Sequence, residues 1–433
     1  MNTRQNAEQS PQGAGNGAEN EAANGAAEGA IAVGERFVVD VGPVAHGGHC
    51  VARHEGQVVF VRHTLPGEQV RAEVTEIGPG GRFLRADAIE VLRAAPERIP
   101  APCPWSGPGR CGGCDWQHVD LAGQRALKKD VILEQFSRLT RLDLTAHLGR
   151  ELEVEAVQGD QDGLGWRTRV EFAVDEGGRP GLRRHRSHDI VPVDTCLIAD
   201  PRVLDTGVLS TTHPGSTAVD VVAPSVGEPV VVEVPHGPVP VVRERVILAD
   251  RELELEVSSR GFWQVHPGAA RTFVSTVLDW LDPRPGDQVL DLYAGVGVFA
   301  AAFAEVVGDR GSVEAVEGDR VATEHARDNL AAFPEVKVTR DRVDRAVRRM
   351  VRSKRRADLV VLDPPRTGAG RQVCRDVAGL GPRTIGYVAC DPAALARDVG
   401  YLIEHGYALR DVRAFDAFPM THHMELVAVL DAP

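Results

Sequence analysis

The stretch LDLYAGVGVFA, residues 290–300, decides the fold. It opens as a short apolar run suited to a buried strand and closes as a run suited to a helix, with Gly295 and Gly297 between them. Strand, glycine turn and helix make the first half of a βαβ unit. The alternation continues outward. GSVEAVEGD (311–319), ADLVVLDPP (357–365) and TIGYVAC (384–390) read as further strands. DRVATEHARDNLAAF (319–333) and PAALARDVGYLIEHG (392–406) read as helices. Residues 263–433 are therefore expected to form an α/β domain on a mainly parallel sheet. Ligands of such sheets sit at the C-terminal ends of the strands, where each notable motif of this half falls.

Gly295 and Gly297 let a ligand approach the backbone, and Ala300 fills the third place of a dinucleotide-type G-x-G-x-x-A. Glycines alone fit a dinucleotide site or a structural turn equally well. Two carboxylates sharpen the reading. Asp291 precedes the glycines and is expected to meet a cationic amino-acid group. Glu317, at the end of the next strand, is expected to accept both hydroxyls of a ribose. Together they point to a class I S-adenosylmethionine site. Asp363 follows with Pro364 and Pro365, an acidic turn held stiff and open, as in methyltransferases that act on nucleobases.

Cys390 ends another strand, with Asp391 as N-cap and Pro392 as first residue of the following helix. The positive helix terminus is expected to lower the thiol pKa. C5 of uracil is a poor nucleophile. A thiolate added at C6 makes C5 an enolate carbon that accepts a methyl group, and a base must then remove the C5 proton. In FPMTHHMELVAVL (418–430), Glu425, beside His422 and His423, is the expected base. A buried structural cysteine is the alternative for Cys390, and is the expectation for Cys50 and Cys374.

CPWSGPGRCGGCDWQH (103–118) gathers Cys103, Cys111 and Cys114, and Cys196 is the remaining unexplained cysteine of the middle region. Four thiolates hold zinc or an iron–sulfur cluster. One C-x-x-C knuckle with two isolated cysteines leans towards iron–sulfur.

The first 33 residues are Gly-, Ala-, Asn- and Glu-rich without an apolar core, so a disordered tail and no signal peptide are expected. No apolar run has the length of a membrane span. Cytoplasmic residence follows, with reduced thiols among the seven cysteines. Residues 34–95 hold short Val-rich strands separated by Gly and Pro, expected to form a five-stranded OB-like barrel. Residues 96–262 form a mixed central domain, with a hairpin in GWRTRVEFAVDEGGRPGLRRH (165–185) and β structure over 217–247. The net charge of −13 excludes non-specific nucleic-acid binding by the whole surface but not by a local basic face. Basic segments 183–186 and 345–356 are candidate RNA contacts or plain solvated faces.

With these motifs the chain resembles, over 34–433, the RNA uracil-C5 methyltransferases, most closely the 23S ribosomal RNA type. GHCVARHEGQVVFVRHTLPGEQV (48–70) is similar to a TRAM domain, an OB-like RNA-binding barrel. CGGC-x-x-Q implies a [4Fe-4S] cluster on Cys103, Cys111, Cys114 and Cys196 rather than zinc. FWQVHP implies Gln264 as a contact to the methyl donor, and DLYAGVG implies Tyr293 in the same role. Glu317 and Asp363 become cofactor or base contacts. YVACDPAALARD and HHMEL match the nucleophile and base motifs. His266, Ala394, Met424 and Val298 depart from common family residues, and the linker between Cys103 and Cys111 is long. None removes a catalytic group, but they bear on which RNA is modified. The expected activity is methylation of a uridine in structured RNA, 23S ribosomal RNA first and transfer RNA second, by a monomer. A non-catalytic RNA-binding or assembly factor with a redox-responsive cluster is the competing expectation.

Overall fold

The computed structural model describes residues 31–160, 162–249 and 251–433. Most of the expected N-terminal tail therefore lies outside the described residues.

Strands β1 (Arg36–Val44), β2 (Cys50–His54), β3 (Gln57–Arg62), β4 (Gln69–Ile77) and β5 (Phe83–Arg93) close a barrel in the order β1-β2-β3-β5-β4. The period-two pattern explains it: Phe37, Val39 and Val41 point in while their neighbours face solvent. Cys50 is one of the buried barrel residues, as expected.

Helix α1 (Leu121–Thr140), short helix α2 (Leu144–Leu148) and strand β6 (Val154–Ala156) follow. Asp120 caps α1, accepting from the Gly123 amide at 2.6 Å. A five-stranded sheet comes next: β7 (Arg169–Val174), β8 (Pro180–Arg183), β9 (Ile190–Pro192), then helix α3 (Pro201–Asp205), β10 (Ala218–Val222) and β11 (Val230–Val234), in the order β11-β10-β7-β8-β9. β7 and β8 are the expected hairpin. β12 (Val241–Ile247) and β13 (Glu252–Ser258) pair as a ribbon.

The rest alternates strand and helix. Its elements are α4 (Ala269–Leu281), β14 (Gln288–Leu292), α5 (Val298–Val307), β15 (Ser312–Glu317), α6 (Arg320–Asn329), β16 (Val336–Arg340), α7 (Val343–Arg352), β17 (Leu359–Leu362), α8 (Gly370–Leu380), β18 (Thr384–Ala389), α9 (Pro392–Glu404), β19 (Ala408–Asp416) and β20 (Glu425–Asp431). The sheet order is β16-β15-β14-β17-β18-β20-β19-β6, parallel except where β20 runs against β18 and β19. Val154–Ala156, from the central region, thus adds an edge strand to the C-terminal sheet.

One core joins the barrel, α1 and one face of this sheet, and a second covers the other face. Leu127, Val131, Ile132 and Phe136 are the buried stripe of α1. Also on α1, fully buried Lys128 pairs with fully buried Asp416 and donates to the Phe418 carbonyl at 3.1 Å. Removing one partner of such a pair costs about 3–5 kcal/mol, because the other charge stays buried. This pair anchors the 418–425 loop.

Among the described residues, no helix is long and apolar enough to cross a membrane. In the 345–356 segment Val347 and Met350 are buried, and three of the basic groups are already paired: Arg348 with Asp376, Arg349 with Asp341, Arg355 with Glu314.

Candidate active site

Strand register brings the site together. Leu292 of β14 lies beside Val316 of β15 and Leu362 of β17, so Tyr293, Glu317 and Asp363 emerge at one sheet edge. Ala389 of β18 lies opposite Leu426 of β20, and because β20 runs backwards Cys390 and Glu425 meet at that edge. Gln264, Tyr293, Gly295, Glu317, Asp363, Cys390 and Glu425 all line one cleft of about 1210 Å³.

Gly295 (φ 54°) has open space where a Cβ would stand, so a ligand can close on its backbone. Gly297, expected in the same role, does not line the cleft. It also has positive φ (91°), and its added Cβ would lie 2.7 Å from Leu330; its task is to let α5 start against the residue that ends α6. Glu317 stands where expected. Its two oxygens accept from the Gly295 amide at 2.9 Å and the Asp319 amide at 2.7 Å. Asp291 differs from the expectation. It is fully buried and accepts from the Ala300 amide at 2.9 Å, so it braces the glycine turn rather than facing a ligand. Burial raises its pKa to about 8.

Asp391 and Pro392 begin α9 as expected, with Asp391 accepting from the Ala394 amide at 2.8 Å. Asp398 of the same helix accepts from the Tyr387 hydroxyl at 2.6 Å and the Ala369 amide at 2.7 Å, fixing the loop that follows Pro364 and Pro365. The expected low-pKa thiol is corrected. Burial, then the charges of Glu425, Asp363 and Asp391, push Cys390 up to about 12, and Arg366 opposes them only in part. Desolvation and three carboxyls outweigh one helix terminus. Burial raises Asp363 to about 7. Burial, then Asp363, raises Glu425 well above the carboxylate range.

Of the two histidines before Glu425, His423 lines the cleft. His422 turns away, its Nδ1 2.6 Å from Asp115 Oδ2, and Asp115 also accepts from Arg62 of the barrel at 3.3 Å. Asp115 was not foreseen; it follows Cys114 and couples the cysteine knuckle to the 418–425 loop. The Asp115 and Trp116 amides both donate to the Met420 carbonyl at 3.0 Å. Arg366 was also missed, although it follows Asp363-Pro-Pro in the sequence. It lines the cleft and acts electrostatically on Cys390, Glu425 and His423.

Cys103, Cys111, Cys114 and Cys196 converge from two loops. Burial, then in part the charges of the other thiols, raises Cys111, Cys114 and Cys196 above the ordinary thiol value, so the four sulfurs lie within electrostatic reach. Among the described residues no three His, Cys, Asp or Glu side chains already stand in a metal-holding arrangement. The thiols are gathered without being closed on one centre. As a donor set they fit a thiolate-bound metal, which needs four deprotonated sulfurs and relieves their mutual repulsion. Arg183 and Arg184 sit beside this knuckle, the Gly112 amide donating to the Arg183 carbonyl at 2.9 Å. Cys374 is buried on α8, as expected.

A family profile described as tRNA (uracil-5-)-methyltransferase matches residues 216–432, half the chain, and a TRAM domain profile matches 32–89. The chain belongs to the RNA uracil-C5 methyltransferase family. These enzymes depend on S-adenosylmethionine, and the open backbone at Gly295 and the carboxylate of Glu317 fit that cofactor. A Streptomyces coelicolor RNA methyltransferase is 49% identical, the match covering 92% of this chain and 93% of the relative. A Chromohalobacter salexigens 23S rRNA (uracil(1939)-C(5))-methyltransferase is 33% identical over 89% of this chain and 87% of its own. The fold matches the Pyrococcus abyssi tRNA (uracil-54, C5)-methyltransferase, solved with S-adenosyl-L-homocysteine, with a TM-score of 0.64 at 21% identity. That match covers 92% of this chain and all of that one. Family membership accounts for the barrel, the α/β fold and the cleft at once.

Proposed function

We propose that the protein methylates C5 of a uridine in 23S ribosomal RNA, with Cys390 as nucleophile and Glu425 as base. The observation that carries this reading is the meeting of Cys390, Glu425 and Asp363 in one cleft with Gly295 and Glu317. The 33% identical ribosomal relative favours ribosomal RNA; the family's transfer-RNA description keeps transfer RNA as the second reading. The barrel and residues 183–186 are the proposed RNA-holding surfaces, 263–433 the catalytic unit, and the protein acts in the cytoplasm as a monomer.

The target base leaves its stack to reach the cleft. Cys390 Sγ loses its proton to solvent and bonds to C6 of uracil, and the C5–C6 electron pair moves towards O4. Gln264, Tyr293 and Glu317 would hold S-adenosylmethionine, which would supply an electrophilic methyl group and leave as S-adenosylhomocysteine, the electrons of the broken methyl–sulfur bond staying on sulfur; its sulfonium charge would favour the ionised forms of Cys390, Asp363 and Glu425. C5 takes the methyl group. Ionised Glu425 then accepts the C5 proton, the C5–C6 double bond re-forms and the Cys390–C6 bond breaks. Arg366 balances the negative charge of this corner throughout.

Labelling with tritiated-methyl S-adenosylmethionine, against total ribosomal and total transfer RNA lacking the modification, tests the reading. Label in 5-methyluridine from ribosomal RNA is expected. Label from transfer RNA alone makes the second reading right, and label in neither overturns both.

We further propose that Cys103, Cys111, Cys114 and Cys196 hold a [4Fe-4S] cluster in preference to zinc. When bound, it supplies a structural cross-link beside the base loop, and no step of the reaction passes through it. Protein purified without oxygen is expected to carry about four irons per chain and a broad visible absorption near 400 nm. Cys196→Ser is expected to lose both. Zinc in place of iron would contradict the assignment.

A further inference from the structure

The barrel reaches the catalytic cysteine. In its β1–β2 loop, His46 Nε2 lies 2.9 Å from Oδ2 of Asp391, the residue after Cys390. Trp116 Nε1 donates to the Gly48 carbonyl at 3.0 Å and steadies the loop. A Cβ on Gly48 would stand 2.5 Å from Cβ of His422, so glycine is needed for the loop to pack on the base segment. His46, Gly47 and Gly48 share with Cys390 and Asp391 a second cavity of about 150 Å³.

We propose that His46 is a positioning residue for the nucleophile: it holds the first turn of α9 against the barrel and offsets the Asp391 charge beside the Cys390 sulfur. The proposal rests on Cys390 being the nucleophile. Thiolate formation leaves a negative charge on Sγ, near the carboxyls of Glu425, Asp363 and Asp391 and the cation of Arg366. Asp391 is the carboxyl whose charge the barrel neutralises. His46 also faces Glu134 and Arg138 of α1, and its bond to Asp391 raises its pKa, widening the range over which the ring is cationic. An RNA-binding barrel thereby acts on the reacting sulfur through one side-chain pair.

Iodoacetamide alkylation of Cys390 in the full chain without RNA, read by mass spectrometry of the Cys390 peptide, follows thiolate formation directly. His46→Ala is expected to slow alkylation about three- to tenfold near pH 6.5, where the ring is cationic, with the difference fading as the pH rises and the ring loses its charge. Asp391→Asn keeps the helix cap while removing the charge, and in that background His46→Ala is expected to change nothing further. In methyl transfer His46→Ala is expected to lower kcat with little change in the KM for RNA. Unchanged alkylation in His46→Ala, an equal slowing in the Asp391→Asn background, or an effect confined to KM would overturn the proposal. Full activity in Cys390→Ala would instead overturn the nucleophile reading, leaving the alkylation comparison standing.

Discussion

Cys390→Ala is expected to lower methyl transfer at least about a thousandfold, with S-adenosylmethionine affinity within about twofold of the parent. The size follows from the chemistry: without the sulfur, C5 of uracil never becomes an enolate carbon. Sparing of the cofactor follows from the geometry. Gly295, Glu317, Gln264 and Tyr293 line the cleft independently of the β18–α9 turn, and the Asp391 cap stays intact. Single-turnover transfer and equilibrium binding measured side by side check both halves. Appreciable activity in the variant would rule out covalent catalysis.

Glu425→Gln is expected to slow turnover about a hundred- to ten-thousandfold while leaving thiolate addition in place. Glutamine has nearly the same shape and no charge, and it resembles the protonated carboxyl that burial and Asp363 impose in the free protein. The fold therefore has little reason to change. What is lost is an acceptor for the C5 proton once the methyl group is on. The methylated base then stays bonded through C6 to Cys390. An RNA–protein band that survives denaturing electrophoresis reads this out. Slow turnover without any such band would assign proton removal to another group, Asp363 being the nearest carboxyl in electrostatic terms.

Much of this arrangement is local and therefore legible in the sequence. Residues 290–300 carry strand, turn and helix in eleven positions, and alternating valines carry the barrel. Asp391 and Pro392 announce a helix start, and they make one. What the sequence hides depends on strand order and on sums over neighbours. The antiparallel insertion of β20 beside β18, which brings Glu425 to Cys390, has no local signature. The raised pKa of Cys390 is another case: the helix terminus is visible in the sequence, whereas burial and three nearby carboxyls exist only in the fold. Gly295 and Gly297 look alike in the sequence, yet one faces open cleft and the other faces Leu330. The pairs His46–Asp391 and Asp115–His422 join residues 345 and 307 positions apart. No window of sequence contains them, although they tie the start of α9 to the barrel and the 418–425 loop to the cysteine knuckle.

The most direct measurement of the central claim uses RNA in which uridine is replaced by 5-fluorouridine. Thiolate addition and methylation proceed on this base, but the C5 fluorine cannot leave as a proton does, so the covalent intermediate is retained. Incubation with S-adenosylmethionine, digestion and mass spectrometry locate the modified peptide. The expected result is one adduct, on the peptide containing Cys390, carrying a methylated fluorouracil nucleotide. An adduct on another residue, or methylation of ordinary uridine with no adduct on the fluorinated base, would contradict the account.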